Sequence, residues 1–85
     1  MIFLIEYNRP EGRIVTFKAF EDSDAPKAEK SRLEIELSLH RKRIDHEVVL
    51  LQAESEKALR KTHRRYFPDF SEHVRAEAAR LHDRD

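Results

Sequence analysis

Histidine and carboxylate side chains are the residues of this 85-residue chain best suited to metal binding or acid–base catalysis. No two histidines lie one helical turn apart, as the ligands of a helical zinc motif do. Glu36 lies one turn before His40, but one carboxylate and one imidazole provide only half of a site. The spacing therefore predicts no metal site and no cofactor. The five histidines are His40, His46, His63, His73 and His82.

Glu6 is the carboxylate with the least ordinary surroundings, because it shares a strand face with Ile2 and Leu4. Half-buried acids are used in catalysis, but the simpler interpretation is that Glu6 ends its strand and reaches water. Every serine has a helix or capping explanation, and a single glycine excludes a glycine-rich phosphate loop. We therefore predict no catalytic residues and no enzymatic activity.

Basic residues give a stronger indication of binding. Residues 41–67 contain eight basic and four acidic side chains, although the whole chain has 17 of each and a formal net charge of zero. In two clusters these cations are candidate phosphate contacts for a nucleic acid, with Tyr66 or His63 as stacking groups. The candidate nucleic-acid-binding residues are Arg41, Lys42, Arg43, Arg60, Lys61, Arg64 and Arg65.

Two observations weigh against nucleic acid as the ligand. Cations at the C-terminal end of a helix stabilise the helix without any ligand, and a neutral chain lacks long-range attraction for phosphates. The last two predicted helices do not form a convincing helix-turn-helix, because the turn has no glycine and the second helix is net acidic. Nucleic-acid binding is therefore the alternative interpretation.

Length and composition are those of one small domain, residues 1–85. Charged residues make up 40% and hydrophobic residues 39%, and the hydrophobic residues occur in short runs typical of folded chains. The absence of cysteine excludes disulfides and thiolate metal sites and suits a reducing compartment. Residues 1–5 are apolar but too few for a signal peptide or membrane span, so we expect a cytoplasmic protein.

Residues 1–20 are predicted to form a β-hairpin. The first strand, residues 1–7, is apolar on both faces, which is typical of an interior strand. Pro10 and Gly12 supply a tight turn. Thr16 and Lys18 interrupt the returning strand, as suits an edge position.

Residues 24–43 are predicted to form a helix, preceded by acidic capping residues and with Pro26 in its first turn. The alternating apolar residues over 32–40 also fit a strand. However, residues 25–43 contain no valine, threonine or aromatic residue, and strong helix formers dominate. On a helix these residues form two nearly opposite stripes, which need two partners: the sheet, and another helix or a second chain. The stripes are Leu33 with Leu37, and Ala28 with Ile35 and Leu39.

The remaining residues predict a strand over 47–53, a helix over 55–67 capped by Ser55, and a C-terminal helix over 69–82 capped by Asp69. The order is β-β-α-β-α-α. A right-handed crossover predicts an α+β fold with a three-stranded mixed sheet in the order 2-1-3. One helical layer would leave one face of this sheet bare, to be covered by the C-terminal helix or by a second chain.

Together these features predict a small non-enzymatic protein-interaction module. We expect it to be a homodimer, because an apolar sheet face of this size would favour association. Its partner is then a second copy or another protein.

Overall fold

A computed structural model of the chain describes residues 1–67. Its elements are β1 (Ile2–Asn8), β2 (Arg13–Phe20), a first 3₁₀ helix (Asp22–Asp24), α1 (Ala25–Lys42), β3 (His46–Gln52), α2 (Glu56–Thr62) and a second 3₁₀ helix (Arg64–Tyr66). The α+β class is confirmed, and residues 32–40 are helical. The helix predicted over residues 69–82 lies outside the described residues. No helix within residues 1–67 has both the length and the hydrophobicity needed to cross a bilayer.

The three strands form a sheet in the order β2-β1-β3, as predicted. The prediction that the sheet is mixed is wrong, because β1 is antiparallel to both of its neighbours. β2 and β3 do run in the same direction, but β1 lies between them. At the centre of the sheet, Ile5 is opposite Phe17 on β2 and Val49 on β3.

One face of the sheet packs against α2 and the second 3₁₀ helix. Phe3, Ile5 and Tyr7 point to this face and form one buried cluster with residues that follow β3. The helix predicted over residues 55–67 breaks at His63, which leaves α-helical geometry (φ −123°, ψ 56°). Leu59, on α2 before the break, and Tyr66 and Phe67, after it, are buried against the sheet.

The other face packs against α1. Leu4 points away from the first cluster and is fully buried, as is Ala28 on α1, and no α1 residue belongs to the first cluster. Helices therefore cover both faces. This corrects the expectation that one face would need the C-terminal helix or a second chain as its cover, which assumed that the other helices lie in one layer. The stripe of α1 that points away from the sheet stays exposed, with Leu33 at 51% and Leu37 at 49% of full accessibility.

The C-terminal end of α1 is closed by Arg43 in the left-handed conformation (φ 56°). The backbone N–H of Arg43 donates to the His40 carbonyl, and that of Ile44 donates to the Leu39 carbonyl at 3.0 Å. This pair of bonds is a Schellman motif, which satisfies the last carbonyls of a helix. α1 therefore ends close to the start of β3.

Candidate functional site

Residues 41–43 and Arg65 of the second basic cluster lie at the same end of the sheet but on different faces. Arg41, Lys42 and Arg43 end α1, and β3 begins three residues later with His46 opposite Asn8. Arg65, in the second 3₁₀ helix, reaches Glu47 at this same end. Because α1 and the second 3₁₀ helix cover opposite faces, the sheet separates Arg65 from residues 41–43.

Two cations of the 60–65 cluster are bound to acidic and aromatic side chains of the same chain. Arg60 donates from Nε to Glu56 at 2.9 Å and lies 4.6 Å from the centre of the Phe67 ring. Arg65 donates to both oxygens of Glu47, at 3.0 and 3.1 Å. These contacts partly neutralise the two guanidinium groups and cover the rim of the aromatic core.

The other cations of the set, Lys61 and Arg64 together with residues 41–43, are all exposed. Arg64 donates from Nε to the Lys61 carbonyl at 3.3 Å. Arg41, Lys42 and Arg43 are exposed, and their side chains form no ion pair with any residue in 1–67. Of the predicted nucleic-acid-binding residues, Arg60 and Arg65 thus make contacts that stabilise the fold, whereas residues 41–43 are solvated at the end of α1.

Glu6 lies at the centre of a polar network that the sequence interpretation missed. It is buried, with 8% of its surface exposed, instead of reaching water at a strand end. Its carboxylate accepts a hydrogen bond from the Thr16 hydroxyl at 2.8 Å, and its other oxygen lies 2.7 Å from His46 Nδ1. Cross-strand register creates this network, because Thr16 is opposite Glu6 and His46 lies diagonally on the same face.

This arrangement orients the imidazole. An ionised Glu6 only accepts hydrogen bonds, so Nδ1 of His46 carries a proton and Nε2 is left for another partner. Carboxylates orient catalytic histidines in this way, but a nucleophile or a metal must then lie near Nε2. Within residues 1–67 no three histidine or acidic side chains are placed to hold a metal ion. The contact that His46 does make joins β3 to β1, and the Thr16 hydrogen bond to Glu6 joins β1 to β2.

A second acid, the partly buried Glu47, links β3 to the second 3₁₀ helix. The Tyr66 hydroxyl donates to Glu47 at 2.6 Å. This hydrogen bond, more than the ion pair with Arg65, holds the pKa of Glu47 below its ordinary value despite partial burial. Burial, together with the hydrogen bond to Glu47, raises the pKa of Tyr66 to about 12. The pair therefore favours an ionised Glu47 and a protonated Tyr66.

The Glu6 network makes a testable contribution to stability. We expect His46→Leu to lower the free energy of unfolding by about 1–3 kcal/mol, because the buried Glu6 loses one of its two donors. Urea unfolding measures the change. His40→Leu, at an exposed histidine of α1, is the matched control and should change stability little. Equal effects of the two substitutions would contradict a structural role for His46.

The Glu47–Tyr66 pair predicts a pH dependence of stability. Because the pKa of Glu47 is lowered by folding, its contribution is complete above the unfolded value of about 4.5 and is lost as pH falls through the folded value. Tyr66→Phe removes the main cause of this shift. We expect the variant to be less stable at neutral pH, and the difference from the parent protein to shrink as the pH falls below the unfolded value of about 4.5.

Urea unfolding at several pH values measures this difference. Tyr7→Phe is the control, since Tyr7 lies in the same cluster with its ring 5.2 Å from that of Tyr66 but does not contact Glu47 through its hydroxyl. A difference between Tyr66→Phe and the parent that stays constant from neutral to acid pH would refute the linkage.

Comparison with protein-family models, with curated proteins and with solved structures finds no match to this chain. Its function must therefore be inferred from its own surfaces and contacts.

Proposed function

We propose that this chain is a small, non-enzymatic protein-interaction module that works as a homodimer. The observation that carries the proposal is the outer stripe of α1, defined by Leu33 and Leu37. These residues lie one turn apart, and each leaves about half of its surface exposed. An amphipathic helix normally has one apolar face, so a second stripe on the solvent side is typical of a helix that packs against a partner.

The charges at the two ends of α1 favour a second copy as that partner. Residues 21–29 contain four acidic side chains and one basic one, whereas residues 41–43 are all basic. Two antiparallel copies of α1, crossing near Ile35, would place the acidic end of each beside the basic end of the other. Leu33 of one copy would then face Leu37 of the other. Antiparallel helix dipoles also attract.

Two further observations support an interaction role. The most buried polar network, around Glu6, is accounted for by hydrogen bonds between strands. A chain of 85 residues also buries a modest fraction of its surface on its own, so association adds usefully to its stability. A cytoplasmic location is part of the proposal, since the chain has no cysteine.

Nucleic-acid binding is a second candidate function. The observation that favours it is the exposure of Arg41, Lys42 and Arg43 without an ion pair inside residues 1–67. Three adjacent unneutralised cations provide phosphate contacts. The engagement of Arg60 and Arg65 with acidic side chains reduces the part that the second cluster would play.

The homodimer is tested by sedimentation equilibrium of the full chain. We expect twice the chain mass at high micromolar concentration. Leu33→Glu combined with Leu37→Glu should weaken the dimer by at least about tenfold, because like charges then meet in the interface. Val15→Glu is the matched control, since it charges a similarly exposed apolar residue on β2. A monomer at every concentration, or equal effects of the two variants, would contradict the proposal.

The second candidate is tested by titrating the full chain with single- and double-stranded nucleic acid at several salt concentrations. We expect no binding even at low salt, because the chain has no net charge. Binding that is lost in Arg41→Glu with Lys42→Glu, but kept in Lys18→Glu with Lys57→Glu, would overturn this expectation and establish the second candidate.

A further inference from the structure

The outer edge of β3 is unpaired in the described part of the chain. Within residues 1–67, β3 has β1 as its one neighbouring strand. The amino group of Met1 donates to the Ala53 carbonyl at 2.9 Å, and the Ala53 N–H donates to the Met1 carbonyl at 3.0 Å. Along a strand of an antiparallel ladder, residues whose N–H and C=O groups bond to the neighbouring strand alternate with residues whose N–H and C=O groups point to the other side. The outer edge therefore presents the N–H and C=O groups of Val48, Leu50 and Gln52.

The two edges of this sheet differ in how they limit further pairing. On β2 the register shifts opposite Glu6 and Tyr7, and the exposed side chains include Arg13 and Lys18. Bulges and charged residues are common devices against edge-to-edge association. β3 has a regular register along its full length, and its centre, residues 48–51, is apolar. It contains no proline, lysine or bulge.

We propose that β3 pairs antiparallel with β3 of a second copy, about a twofold axis through Val49, to form one continuous six-stranded sheet. The inference rests on the proposed homodimer and specifies its interface. In this register Val48 lies opposite the partner's Leu50, so apolar residues meet at the centre. His46 lies opposite the partner's Gln52, whose amide group suits the Nε2 atom that the Glu6 network leaves available.

The same axis brings the two α1 helices together. α1 begins at the end of the sheet where β2 finishes and runs to the opposite end, where β3 begins. It is therefore antiparallel to β3. With rises of about 1.5 Å per helical residue and about 3.3 Å per strand residue, Ile35 lies roughly level with Val49. Residue 35 is also close to the centre about which the charged ends of α1 are complementary.

The lateral spacing is also suitable for helix packing. α1 packs mainly over β3 and next over β1. A helix centred between these strands would lie about 10 Å from its mate across the β3–β3 junction, given a strand spacing of about 4.8 Å. Helices pack at about 8–10 Å. The spacing of the two helices is therefore compatible with the strand pairing, with the outer stripes of α1 on the solvent side of the junction.

Amide hydrogen exchange of the full chain at increasing concentration tests the interface. We expect the amides of Val48, Leu50 and Gln52 to become protected as the dimer forms, while those of Val49 and Leu51, bonded to β1, are protected throughout. A dimer whose Val48 and Leu50 amides exchange freely would overturn the strand pairing but leave the homodimer standing. A monomer at all concentrations would overturn both.

Protection of Val48 and Leu50 that does not depend on concentration would also overturn the inference, because the chain would then cover its own edge.

A backbone variant gives a second test. Val48→Pro removes an outward N–H and no bond to β1, and Val48→Ala is the control that shortens the side chain but keeps the N–H. We expect Val48→Pro to weaken the dimer by more than about tenfold relative to Val48→Ala, since the twofold removes two interchain bonds. If Val48→Pro and Val48→Ala both fold and dimerise with the same affinity, the pairing of β3 with β3 is refuted.

Discussion

The burial of β1 is the constraint on which the rest of this structure depends. Phe3, Leu4 and Ile5 are each at most 1% exposed, so successive side chains of the strand are buried on opposite faces. Such a strand needs a cover on both faces and a neighbour along both edges. β2 and β3 provide the neighbours, α1 covers one face, and α2 with the second 3₁₀ helix covers the other. A chain this short has no element left over in the described region.

That constraint also explains the polar chemistry inside the domain. Burying β1 carries Glu6 into the interior, where a carboxylate is tolerated only with hydrogen-bond donors. Thr16 and His46 provide these donors from both neighbouring strands. Tyr66 and Arg65 provide hydrogen-bond donors to Glu47 in the same way. Each acid links elements that are distant in sequence, and so each contributes to the specificity of the fold.

Besides the outer edge of β2, which a register shift and charged residues protect, two features are left without a partner within residues 1–67: the outer stripe of α1 and the outer edge of β3. They adjoin each other, because α1 packs mainly over β3. A twofold operation through Val49 would pair the β3 edge, with apolar residues at its centre, and would bring the oppositely charged ends of the two α1 helices together. The proposed function and the proposed interface thus derive from the same incomplete side of the domain.

The sequence by itself determined the order of the elements, the central place of β1 and the two stripes of α1, because periodicity and turn chemistry are local properties. The strand order β2-β1-β3 followed from the apolar residues on both faces of β1, which require the central position. Only the tertiary structure decided that helices cover both faces, and that Glu6 meets His46 across 40 residues of chain. Such contacts depend on strand register and on the face against which each helix packs. A shift of the register by one residue would change them, and no local sequence pattern specifies that register.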